Sequence, residues 1–120
     1  MNGDIVFLGT ELKLNIHIDP IPKHPNQEGE ETVDGEWNMK DYDFEIEVFC
    51  TPKKSVTITK EDAIEIDQNN YVVLVDTNEI GVGTLKVKVI AHIPDGHFID
   101  QARTEISVED TGIEIIKTLE

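Results

Sequence analysis

Between Leu85 and Ile93 the chain reads LKVKVIAHI, and no other stretch constrains the fold as tightly. Leu85, Val87, Val89, Ala91 and Ile93 share one side of an extended chain, and Lys86, Lys88 and His92 share the other. That period of two is the signature of a strand with one buried face, and the segment reads as the central strand of the domain. The residues ahead of it, DTNEIGVG from Asp76 to Gly83, predict a single helical turn. Asp76 caps it, Glu79 stands at the capping-box position, Gly81 supplies a left-handed stop and Ile80 plugs the core.

The same alternation recurs along the chain. Ile5 to Leu8, closed by Gly9-Thr10, reads as an initial strand that bends or crosses between sheets. In ELKLNIHI, Leu12, Leu14, Ile16 and Ile18 oppose Lys13, Asn15 and His17, and the run stops at Asp19-Pro20-Ile21-Pro22, where two prolines remove ladder donors. In YDFEIEVFC, Phe44, Ile46, Val48 and Cys50 alternate with Asp43, Glu45 and Glu47. Val56 with Ile58 and Ile64 with Ile66 mark two further strands separated by a turn at Lys60-Glu61-Asp62. Asn69-Asn70, which tolerates left-handed backbone angles, leads into YVVLV, a run expected well inside a sheet. After a turn at Pro94-Asp95-Gly96, Ile106 and Val108 alternate with Glu105, Ser107 and Glu109, and Ile113 with Ile115 continues beyond Asp110-Thr111-Gly112. No stretch sustains a helical period. Seven to nine short strands with turn signals between them predict an all-β antiparallel β-sandwich with Greek-key connections. A length of 120 residues suits one core, so residues 1–118 are expected to form one domain. Leu119-Glu120 reads as a vector-encoded junction outside that domain.

Residues 23–41, KHPNQEGEETVDGEWNMKD, interrupt the pattern with Pro25, Gly29, Gly35 and a dense set of carboxylates. They are expected to form a polar, acidic surface loop or small flap. Trp37, Met39 and, just beyond, Tyr42 are the candidate interaction residues on it. Two readings of Trp37 stand side by side: a contact residue at an interface, or an anchor folded back on the domain.

Twenty-five acidic against ten basic residues give a net charge of −15. Such a field repels phosphate backbones and anionic lipid, so neither nucleic acid nor membrane is expected as a partner. Most of the carboxylates, among them Glu45, Glu47, Glu65, Glu105 and Glu109, are expected on solvated outer strand faces. Cys50 is the only cysteine, which excludes an internal disulfide, and its place in a strand pattern makes it a small hydrophobe. No apolar run approaches the roughly 18 residues that span a bilayer, and the N-terminus lacks the features of a signal peptide. The expected location on these grounds is cytoplasmic.

Sites for chemistry do not assemble. Asp41 with Asp43 and Asp95 with Asp100 are the nearest approach to a calcium loop, without the D-x-D-x-D-G pattern that would converge enough oxygens. His17, His24, His92 and His97 form no H-x-x-x-H pair, and no G-x-S-x-G elbow is present. Gly81 and Gly83 are not followed by the helix that a phosphate loop needs. The expectation is a protein without enzymatic activity, metal or other cofactor.

The order of elements resembles the immunoglobulin-like N-terminal domain of phage baseplate upper proteins and related prophage tail or fibre proteins. The residues carrying the resemblance are Leu12 to Ile18, Phe44 to Cys50, Asn69-Asn70-Tyr71-Val72-Val73-Leu74, the turn at Gly81 to Gly83, TLKVKVIAHI and the closing RTEISVE. The chain is also similar to short uncharacterised proteins of gut Bacteroidales mobile elements. The resemblance implies an immunoglobulin-like sandwich with a structural role and no catalytic residues, and makes a virion-associated location the alternative to a cytoplasmic one. The leading expectation is a non-catalytic assembly module, a phage-like tail, baseplate or fibre component that associates with itself or with a larger structural protein. Val56 to Ile58 and Ile113 to Ile115 are its candidate edge strands. The alternative is a carbohydrate-binding or adhesive module, drawn from Trp37, Tyr42 and the acidic loop.

Overall fold

The computed structural model describes residues 4–22 and 35–117. Among them are ten strands: β1 (Ile5–Phe7), β2 (Glu11–His17), β3 (Ile21–Pro22), β4 (Glu36–Trp37), β5 (Asp43–Thr51), β6 (Lys54–Thr59), β7 (Ile64–Asp67), β8 (Asn70–Asp76), β9 (Gly83–Pro94) and β10 (Ala102–Ile116). Three single 3-10 turns accompany them at Met39–Asp41, Lys60–Asp62 and Thr77–Glu79. The fold is all-β and sandwich-like. A five-stranded sheet in the order β1-β10-β9-β5-β6 stands with a three-stranded sheet, β2-β8-β7, and a two-residue ribbon, β3-β4. One core cluster draws on both larger sheets, with Phe44, Ile46, Val48, Leu85, Val87 and Ile93 from one and Leu14, Ile16, Tyr71 and Val73 from the other.

β9 is the spine, hydrogen-bonded to β10 on one side and β5 on the other. Leu85, Val87, Val89, Ala91 and Ile93 are all buried. The other face is tied by cross-strand contacts, an ion pair of Lys88 with Glu47 at 3.8 Å and a hydrogen bond between His92 and Glu45 at 2.9 Å. The turn before β9 forms at Thr77–Glu79 with the Asp76 cap, and without a capping-box bond from Glu79. Asp76 accepts a hydrogen bond from the Asn78 amide at 2.9 Å, Gly81 takes φ +93°, and Ile80 is buried. Gly83, at φ +131°, brings the chain so close to β5 that an added Cβ would lie 3.1 Å from the Cys50 Cβ.

Several expectations are corrected. Ten described strands exceed the seven to nine expected, because two-residue pairings such as β3-β4 leave no sequence period. The sheet is not wholly antiparallel: β1 runs parallel to β10, with Ile5 opposite Glu114. YVVLV does lie inside its sheet, as the middle strand β8 between β2 and β7, but it is buried on one face only, with Leu74 60% exposed. Asn69 and Asn70 do not take positive φ; the one non-glycine residue that does, among the described residues, is Gln101 in the β9-β10 connection. Ile113 to Ile115 is not an edge, since β1 covers its outer side and Ile115 is buried.

The largest difference lies in β10. Its register sets Glu105 opposite Ala91, Ser107 opposite Val89 and Glu109 opposite Val87, so these polar residues share the inward side of the sheet. Ile106 and Val108 lie opposite Ile90 and Lys88 on the outer side, 58% and 57% exposed. Both faces of this part of β10 meet water, and burial no longer sorts the residues.

Candidate interaction surface

Trp37, Met39 and Tyr42 sit where the chain leaves the β3-β4 ribbon and enters β5. Trp37 in β4 faces Ile21 across the ribbon and packs, partly buried, against the core. Met39 is fully buried and Tyr42 is 3% exposed, so neither presents a face to a partner. Burial pushes the Tyr42 phenol up to about 12, with the Glu105 carboxylate adding to the shift. Tyr42 and Tyr71 stack edge-on against Phe44, with centroid distances of 6.2 and 5.0 Å. The segment 35–41 is thus an ordered part of the domain, whereas residues 23–34 of the expected acidic loop lie outside the described residues.

Polar anchors hold this corner. Asn69, 8% exposed, donates through Nδ2 to Asn38 Oδ1 at 2.8 Å and accepts from the Met39 amide at 2.9 Å. Asp41 accepts from the Asn38 amide at 3.0 Å. Lys60 points its ammonium into three carbonyls, those of Met39, Lys40 and Tyr42 at 3.2, 3.0 and 2.6 Å, and lies 5.6 Å from the centre of the Phe44 ring. Lys60 was legible only as a turn residue, because nothing local in sequence signals three carbonyls converging from about twenty residues away.

The surface that the fold leaves open lies elsewhere. β2 is an edge of the three-stranded sheet, with β8 as its only strand neighbour among the described residues. Between β2 and β10 runs a groove of about 990 Å³. Its floor is Leu14, Ile16, Val87 and Val89, and its far wall is Arg103, Glu105, Ser107 and Glu109. One end is closed by Pro20 to Pro22, where Arg103 Nη2 donates to the Pro22 carbonyl at 3.3 Å. At the other end the bulge between Asp110 and Glu114 brings Ile113 inward. Arg103 is nearly buried and occupied, 2.8 Å from Asp95 and 2.9 Å from Glu105.

Several of the other candidate chemical groups have structural partners, while His24 lies outside the described residues. Asp95 accepts from the His97 amide and pairs with Arg103, which together hold its carboxyl below the usual range. His17 bonds to Asp19 and Asn70, and its ring pKa is raised by them. Burial pushes the Cys50 thiol up, and its Sγ lies 3.6 Å from the Gly81 carbonyl, the environment of an inert thiol. Among the described residues no three histidine, cysteine, aspartate or glutamate side chains converge on a metal-sized point. No helix among them is long and apolar enough to cross a membrane.

No family model matches the chain, and neither a search of curated proteins nor one of solved structures finds a match.

Proposed function

We propose that the protein is a non-catalytic structural module of immunoglobulin-like type that works by assembling with other protein chains, in the manner of a phage-like tail, baseplate or fibre component. The observation that carries this reading is the open flank of the three-stranded sheet, where the backbone of β2 has a vacant side next to a groove. The immunoglobulin-like reading is supported by the strand order, with β1 parallel to β10 at one edge of the larger sheet and β2-β8-β7 forming the smaller. Such sandwiches place structure in the sheets and leave binding to edges and loops, which suits a chain whose His17, His92 and Asp95 side chains are held by partners within the fold.

A carbohydrate-binding role loses Tyr42, which is buried and offers no ring face for a sugar, and is left with Trp37 and the acidic loop, whose residues 23–34 lie outside the described residues. The assembly reading is therefore preferred. It is tested by isolating large particles from cells that express the chain at its natural level. Co-sedimentation with a multi-subunit assembly in fixed stoichiometry is the expected result, and a chain found entirely as a free monomer would remove the reading's support.

A further inference from the structure

β2 uses half of its backbone. Over the seven residues Glu11–His17 it pairs with β8, and its other side opens on the groove. At about 3.3 Å per residue this edge offers roughly 23 Å of ladder. In sandwiches that set four strands against three or more, a further strand lies beside the equivalent of β2 and covers the inward side of the facing sheet. Among the described residues that place is not filled by a strand, and the exposed inward side of β10 marks it. We propose that this groove accepts an extended, cationic peptide strand from a partner protein, added to β2 through main-chain hydrogen bonds.

The chemistry of the walls selects that occupant. An incoming strand directs every second side chain inward, toward Glu105, Ser107 and Glu109. Glu105 is already engaged with Arg103, and Glu109 has no ionic partner among the described residues. A lysine or arginine at an inward position lays its aliphatic stem along Leu14 and Val87 and brings its charge to Glu109. A carboxylate at the same position meets like charge within a protein of net charge −15. A second copy of the chain is disfavoured on two counts. It carries the same charge, and pairing β2 with β2 would drive the two overhanging β10 strands into the same space.

This inference rests on the assembly reading and names its surface and the chemistry of its partner. It is tested on the full chain, isotope-labelled, with a blocked peptide of alternating lysine and valine about ten residues long and its glutamate–valine counterpart. The expected result is saturable shifts and new amide protection along β2, with the glutamate peptide weaker by about tenfold or more. Glu109→Lys is expected to weaken the lysine peptide by a similar factor, while Glu65→Lys on β7 leaves it unchanged. Both positions are exposed, so the fold is checked by a melting midpoint that does not fall. Absence of shifts, equal binding of the two peptides, or indifference to Glu109→Lys would each overturn the inference. Binding along β6 instead would overturn it and leave the assembly reading standing, as would a dimer joined through β2.

Discussion

Thr77 shows how much one buried hydroxyl can fix. It is fully buried, and its Oγ1 donates to the Thr10 carbonyl at 2.8 Å while accepting from the Gly9 amide at 2.8 Å. That pair of bonds ties the crossing between β1 and β2 to the turn before β9. Thr77→Val keeps the volume and strands the Gly9 amide, so a loss of about 1–3 kcal/mol is expected in urea denaturation. His17 gives a pH signature at the same scale. Its hydrogen bonds to Asp19 and then Asn70 raise its pKa above 6.5, so the charged ring is favoured in the folded chain. The sign follows from linkage: its contribution to stability is fully present below 6.5 and is lost as the pH rises through the raised folded value. An NMR titration should place the His17 midpoint above 6.5, and Asp19→Asn should lower it.

β9 and β10 divide the strands into what was legible and what was not. Along β9 the apolar alternation marks the buried face, Leu85, Val87, Val89, Ala91 and Ile93, while Lys86, Lys88 and His92 are half-buried on the other face with Ile90 as the one apolar residue among them. Val89→Asp should therefore cost on the order of 4–5 kcal/mol or more by placing an unpaired charge in the core. Lys88→Asp sets like charges across from Glu47 and should cost only about 0.2–1 kcal/mol. The two variants can be compared in one set of thermal melts. In β10 the period is legible in the sequence and the facing is not. Ile106 and Val108 occupy even positions and Ile113 and Ile115 odd ones, so a ladder that keeps its parity cannot bury both pairs. That change of phase was visible in the sequence. Which pair faces the core was not, because it depends on where the smaller sheet ends. For the same reason Glu105 and Glu109 looked like outer-face residues, although they line the inward wall of the groove. The turn at Asp76 to Gly81 was legible because its caps are local, whereas the burial of Met39 and Tyr42 depends on Asn69 and Lys60, far away in sequence.

At the scale of the whole molecule, a five-stranded sheet faces a three-stranded one, and the mismatch falls at β10. The excess carboxylates repel one another across a small body, and salt screens that repulsion. The thermal midpoint is thus expected to rise between low ionic strength and about 0.5 M sodium chloride. The same salt should weaken a cationic strand in the groove, so stability and binding are expected to move in opposite directions. The central claim is that one side of the β2 backbone is open in the isolated chain. Residue-resolved amide hydrogen exchange reads this directly. Amides of β9 from Lys86 to His92, paired on both sides, should be protected throughout, while those of β2 should alternate between protected and fast along Glu11–His17. Uniform protection along β2 would mean that its edge is already covered, and would contradict the account.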